Sequence, residues 1–119
     1  SEKAFIQFQL AETEAKYHAA KAFLEQAATQ NWQAAEKGIP PIETKNLLRM
    51  AATHTVTASA EVVDWCYKIG GGSTIWDSAK LQELQRDMNV LTQHGLIASS
   101  NNEMIGKVAF GLPFNAWLL

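Results

Sequence analysis

Apolar residues recur along most of the chain at steps of three and four, the period of an amphipathic α-helix. The pattern predicts helices over residues 4–35, 42–69 and 79–98, and a short fourth helix that ends near residue 110. Almost no strand is expected. The sequence therefore predicts an all-α fold, an up-down four-helix bundle formed by a single domain of 119 residues.

Each of the first three predicted helices carries one apolar stripe that is expected to face the core. In the first helix the stripe is Phe5, Phe8, Ala15, Ala19, Ala22 and Phe23. In the second it is Leu47, Ala51, His54, Ala58, Val62, Trp65 and Ile69. In the third it is Leu81, Leu84, Met88, Leu91 and Gly95.

Residues that end or begin helices lie between these stripes. Gly38-Ile39-Pro40-Pro41 ends the first helix, because proline cannot continue the backbone hydrogen bonds. Residues 70–77 form a predicted loop. Ser100 and Glu103 have the spacing of a capping box, which predicts the start of the fourth helix. The apolar tail 114–119 is expected to dock on this domain or on a partner subunit.

Composition and charge exclude several classes of function. A net charge of −2 and a pI near 5.9 give no basic surface for nucleic acid, and no apolar run is long enough to span a bilayer. A lone Cys66 cannot form an internal disulfide and suits the reducing cytoplasm. The three histidines, His18, His54 and His94, lie on different helices without an acidic motif, so no metal site is predicted.

Two features between the second and third helices could carry chemistry. Gly70, Gly71 and Gly72 allow a positive φ and a close approach, and their N–H groups, followed by the hydroxyl of Ser73, could hold an anion. Arg86 could bind phosphate or carboxylate through two hydrogen bonds. The alternatives are a helix end without a ligand for the glycines and a structural ion pair for Arg86.

His94 is the first candidate for a catalytic residue. Histidine titrates near neutral pH and can hydrogen-bond a ligand or transfer a proton. The alternative is an inert histidine at the edge of a helix stripe. Trp65 and Trp76 flank the glycine loop and could wall an aromatic pocket, although core packing is the simpler interpretation for Trp65.

These residues occur in a characteristic order: glycines at 70–72, Leu-Gln at 81–82, Arg-Asp at 86–87, Gln-His at 93–94 and Phe-Gly at 110–111. In this order the chain resembles the C-terminal helical domain of the acyl-CoA dehydrogenase superfamily. The resemblance is closer to the branch shared with two-component flavin-dependent monooxygenases, because the Tyr-Glu-Gly motif that often carries the dehydrogenase base is missing. Glu83 and Ala79 stand where that branch often has Arg and Pro.

The resemblance implies a flavin cofactor, reduced FMN or FAD, and hydroxylation of an aromatic or heterocyclic substrate. It implies that His94 lies beside the flavin and assists proton transfer or positions the flavin. It also implies cofactor contacts from Gly71, Gly72, Ser73 and Arg86. The two glycines would contact the cofactor bound to an adjacent subunit.

It further implies a homodimer or homotetramer and a separate flavin reductase. The chain is then expected to be a fragment that lacks an N-terminal helical domain and a middle β-domain of the same protein, and to have no turnover alone. Two alternatives stay open, the C-terminal domain of an FAD-dependent acyl-CoA dehydrogenase and a stand-alone, non-catalytic oligomerisation module.

Overall fold

The computed structural model describes residues 1–70 and 78–115. It contains four helices, which are α1 (Glu2–Glu36), α2 (Ile42–Gly70), α3 (Ser78–Leu91) and α4 (Asn101–Ala109). No strand occurs within the described residues. The predicted all-α class and the order of four helices are confirmed, and only the end of α3 differs from its predicted position by more than a few residues.

Helix α2 lies at the centre of the fold and packs against α1, α3 and α4. Among the described residues, α1 contacts neither α3 nor α4. Helices α2 and α3 run antiparallel: Gln85 Nε2 donates to Asp64 Oδ1 at 3.0 Å. Beyond the end of α3, Arg49 Nη1 donates to the carbonyl oxygen of Leu96 at 2.6 Å. The chain after α3 thus returns to the N-terminal half of α2.

Small residues form the interface between α1 and α2. Ala20 and Ala27 of α1 and Ala51 of α2 are at most 3% exposed, and Thr55 Oγ1 donates to the carbonyl oxygen of Ala20 at 3.4 Å. Alanines at these positions let the two backbones approach closely. Larger side chains cross the interface at Phe23 and His54, whose ring centroids are 6.2 Å apart.

The predicted apolar stripe of α1 is wrong except at Phe23, which is half-buried and lies against His54 of α2. Phe5 and Phe8 are 61% and 63% exposed, and Ala15 and its stripe neighbours Ala19 and Ala22 are exposed. Apolar residues occur on several sides of this helix, so their periodicity does not select one side. The buried side is the one with alanines opposite the alanines of α2, and a second apolar side remains uncovered.

Helix α3 ends at Leu91, earlier than the predicted residue 98, because side chains in the next residues bind backbone groups. Thr92 Oγ1 donates to the carbonyl oxygen of Asn89 at 2.7 Å, and His94 Nδ1 accepts from the N–H of Leu96 at 3.2 Å. Asn101 Nδ2 donates to the carbonyl oxygen of Gly95 at 3.0 Å. These bonds hold the residues between α3 and α4 in successive turns.

The predicted capping box at the start of α4 is wrong, although Ser100 is the N-cap residue. Its side chain makes no capping hydrogen bond, and its φ and ψ are −58° and −22°. The N–H groups of Asn101 and Asn102 bind carbonyl oxygens of the preceding turn instead, and Glu103 pairs with Lys107 at 3.1 Å. The turn therefore satisfies the first N–H groups of the helix before the serine hydroxyl is needed.

A buried amide attaches α4 to α2. Asn46 is 5% exposed, and its Nδ2 donates to the carbonyl oxygen of Ile105 at 3.2 Å. We predict that Asn46→Ala lowers the free energy of unfolding by about 1–3 kcal/mol, since it removes a buried hydrogen bond and leaves a cavity. Urea denaturation followed by circular dichroism measures this. The exposed Asn89→Ala serves as the control, and equal changes in both variants would contradict the prediction.

Candidate functional site

His94 lies three residues after α3, and its own turn fixes the orientation of its ring. His94 is exposed, and its Nδ1 accepts a hydrogen bond from the backbone N–H of Leu96 at 3.2 Å. The backbone carbonyl of His94 accepts from the N–H of Ala98 at 2.7 Å. Because an accepting Nδ1 carries no proton, the neutral ring carries its proton on Nε2. That Nε2–H has no partner among the described residues, so it can donate to a ligand.

Beside the turn of His94 lies a groove of about 270 Å³, which we call the cationic groove. Lys45 and Arg49 supply positive charge on successive turns of α2, and no acidic residue lines it. Its lining is Asn31, Pro40, Lys45, Leu48, Arg49, Ala52, Leu96 and Ile97. Arg49 and Leu96 connect the cationic groove to the His94 turn through their 2.6 Å hydrogen bond.

Sequence reasoning missed the cationic groove. Lys45 and Arg49 precede most of the apolar stripe of α2 and were not distinguished from ordinary surface charges. The available signal was their i,i+4 spacing beside Leu48 and Ala52, which places two cations on one face of a helix. Only the tertiary structure brings Leu96 and Ile97 to that face.

Arg86, a predicted cofactor contact, is on an exposed part of the last two turns of α3. Within the described ranges it forms no ion pair, so the alternative of a structural pair with Glu83 has no support there. Gly71, Gly72 and Ser73 lie outside the described residues, as does Trp76. Their predicted roles stay predictions, and so do those of His94 and Arg86.

The structure separates the C-terminal end of α2 from His94. Gly70, the last described residue before the loop, is the C-terminal residue of α2, whereas the His94 turn is attached to Arg49 near the other end. At 1.5 Å per residue, Arg49 and Gly70 are about 30 Å apart along the helix axis. Within one chain, the described C-terminal end of α2 and the His94 turn therefore do not border the same site.

A second groove, of about 490 Å³, lies between α1 and the C-terminal half of α2. Trp65 lines it, is half-buried, and donates from Nε1 to Gln9 Oε1 at 3.2 Å. Lys16 pairs with Glu61, and Lys68 pairs with Asp64 at 2.9 Å. Because these polar groups bind one another, the groove offers an aromatic side chain but few polar groups without a partner.

The hydrogen bond from Lys68 lowers the pKa of Asp64 below its ordinary value, and the bond from Gln85 acts in the same direction. A carboxyl with a lowered pKa stabilises the fold above about pH 4 and loses that contribution as the pH falls through the lowered value. We predict that Asp64→Asn loses less than about 1 kcal/mol at pH 7, since the pair is half-exposed, and a smaller amount at pH 2. Urea denaturation at both pH values tests this, and an equal loss at both would contradict it.

No group of His, Cys, Asp and Glu among residues 1–70 and 78–115 could hold a metal ion. No helix in that part of the chain has the length and apolar character that a bilayer span requires. Cys66 is a half-buried free thiol.

The chain is similar to known proteins over most of its length. Residues 1–99 match the family described as acyl-CoA dehydrogenase, C-terminal domain. An indole-3-acetate monooxygenase of Pseudomonas putida is 28% identical over 112 residues, which cover 93% of this chain and 29% of that protein. An indole-3-acetate monooxygenase of Acinetobacter baumannii is 27% identical over 107 residues, 89% of this chain and 28% of that protein. The chain thus spans less than a third of the length of these relatives.

Proposed function

Because the chain belongs to the acyl-CoA dehydrogenase C-terminal domain family, we propose that it is the flavin-contacting and oligomerising part of a flavin-dependent monooxygenase. The observation that carries this proposal is the similarity to two indole-3-acetate monooxygenases over 93% and 89% of the chain. It favours hydroxylation of an aromatic or heterocyclic substrate over acyl-CoA oxidation and over a stand-alone module. The substrate class we propose is an indole-like aromatic acid.

The remaining domains would come from the same protein. The relatives are more than three times as long as the matched segment, which leaves room for the expected N-terminal helical and middle β-domains. A separate reductase would supply reduced FMN or FAD, and the protein would act in the cytoplasm. The bound flavin would activate oxygen for the hydroxylation.

The described residues fit an edge of a flavin site and not an enclosing pocket, since both His94 and Arg86 are exposed. We assign to His94 Nε2–H the role of a hydrogen-bond or proton donor toward the flavin or the substrate. Arg86 and the residues Gly71, Gly72 and Ser73 would bind the polar groups of the cofactor. The separation of about 30 Å along α2 supports a glycine loop that serves the cofactor of a neighbouring copy.

A homodimer or homotetramer is proposed from the surface of the chain. Its accessible area is 8389 Å², whereas a folded monomer of this mass exposes about 6,400 Å². The radius of gyration is 17.4 Å, against about 13.5 Å for a compact domain of this length. The excess of roughly 2,000 Å² is surface that the other domains of the same protein and a second copy would cover between them. The uncovered side of α1 is the proposed contact with a second copy.

The full-length protein tests the proposed function. With a flavin reductase, NADH, oxygen and indole-3-acetate, we expect a hydroxylated product detected by mass spectrometry. The 119-residue chain alone should give none, because the other domains contribute to the flavin site. Oxidation of an acyl-CoA thioester by the full-length protein, without hydroxylation of any aromatic acid, would overturn the proposal in favour of a dehydrogenase.

A further inference from the structure

We propose that the cationic groove is the subsite that binds the carboxylate of the substrate, and that Lys45 is its main specificity-determining residue. This inference rests on the proposed function, because it places the groove beside the residue assigned as proton donor. The site was not among the candidates that the sequence indicated.

The charge of the groove selects an anion. Lys45 and Arg49 are both half-buried and lie one turn apart on the same face of α2, and no carboxylate lines the groove. Lys45 forms no ion pair with any described residue. Two cations on a partly desolvated surface attract an anionic group more strongly than the same cations would in water.

The apolar part of the groove selects what the anion is attached to. Leu48 and Ala52 of α2 face Leu96 and Ile97 from the turn of His94. Binding sites for small molecules combine such an apolar lining with a few polar groups, and 270 Å³ lies near the lower end of their usual size, about 300 Å³. The groove therefore suits a small aromatic acid.

Asn31 places a third requirement on the ligand of the cationic groove. It lines the groove, and its Oδ1 is buried without a hydrogen-bond partner among the described residues. Because this oxygen is shielded from solvent, a ligand N–H or O–H group would reach it only after the Asn31 side chain turns toward the groove, and that contact would then satisfy the buried oxygen. An anion at one end, an apolar ring and a donor on the ring describe an indole-ring acid, the class of compound named for both relatives.

The position of the groove relates it to the reaction. Arg49 donates a hydrogen bond to the carbonyl oxygen of Leu96, and the backbone N–H of Leu96 donates to Nδ1 of His94. Leu96, which lines the cationic groove, is thus hydrogen-bonded directly to the histidine ring. A substrate whose carboxylate is held by Lys45 would have its ring within reach of this turn, and Arg49 would act both on the anion and as a positioning residue for His94.

Isothermal titration of the full-length protein tests the inference without turnover. The probes are indole-3-acetate and its neutral analogue indole-3-acetamide. We expect Lys45→Gln to weaken indole-3-acetate binding about tenfold, the value for a charge-assisted hydrogen bond, and to leave indole-3-acetamide binding within about twofold. Lys37→Gln, a nearby lysine outside the groove, should leave the affinity for both compounds unchanged.

The outcomes separate this inference from the proposed function. Equal weakening for the acid and the amide by Lys45→Gln, or no weakening for either, would overturn the subsite while hydroxylation by the wild-type protein still stood. A wild-type protein that hydroxylates no aromatic acid would overturn the proposed function itself. In kinetics, the variant should raise KM for indole-3-acetate with kcat nearly unchanged, since the carboxylate contact is made equally in the ground state and the transition state. A loss confined to kcat would contradict a binding role.

Discussion

In the full-length protein, His94→Ala is expected to lower kcat about 100-fold, the smaller end of the contribution of a positioned acid or base. In the neutral imidazole the proton lies on Nε2, because Nδ1 accepts a hydrogen bond from the backbone N–H of Leu96. Loss of this donor should also increase the hydrogen peroxide released per reduced flavin oxidised. Stopped-flow kinetics and a peroxide assay measure the two effects.

Two conservative variants distinguish a catalytic from a structural role. Asparagine can place an oxygen near the position of Nδ1 and keep the bond to Leu96, whereas glutamine can place an amide near Nε2. If Nε2 acts on the ligand, His94→Gln should recover part of kcat and His94→Asn should resemble His94→Ala. Recovery by His94→Asn alone would assign His94 to holding the turn and would remove it from the mechanism.

Ala15→Glu should convert the full-length oligomer into a smaller species. Ala15 is exposed in the chain and lies seven residues from both Phe8 and Ala22, so the three occupy nearly one line along α1. An unpaired charge buried in an interface costs about 3–5 kcal/mol, which raises the dissociation constant at least about 100-fold. Light scattering after size-exclusion chromatography, at micromolar concentration, measures this.

The matched control is Ala28→Glu, an exposed alanine on a different side of the same helix. It should leave the oligomer intact, because its side of α1 is not the proposed contact. An Ala15→Glu protein that stays oligomeric but unfolds more easily would show that another domain of the same chain covers this surface. If Ala15→Glu changes neither the oligomeric state nor the stability, then neither a second copy nor another domain covers this side of α1, and the proposal is contradicted.

The sequence predicted the helices well because their ends coincide with strong local signals. Gly38 has a φ of 138°, and the prolines after it prevent continuation, so α1 ends where expected. The end of α3 was not predictable in this way. It depends on the side chains of Thr92, His94 and Asn101, which bind backbone groups only once the turn has formed.

The buried side of α1 and the cationic groove were not predictable for a different reason. Periodicity identifies an apolar side only when the other sides are polar, and α1 has apolar residues around most of its circumference. The cationic groove joins α2 to residues nearly fifty positions later through the Arg49–Leu96 bond. Contacts at that separation are set by tertiary packing, which no local pattern in the sequence contains.

The length of α2 has a thermodynamic consequence. If the glycine loop at one end of this helix and the His94 turn at the other contact the flavins of different copies, cofactor binding and subunit association are linked equilibria. Each must then favour the other by the same free energy. Flavin affinity would depend on protein concentration, falling upon dilution even when no residue of the cofactor site has changed.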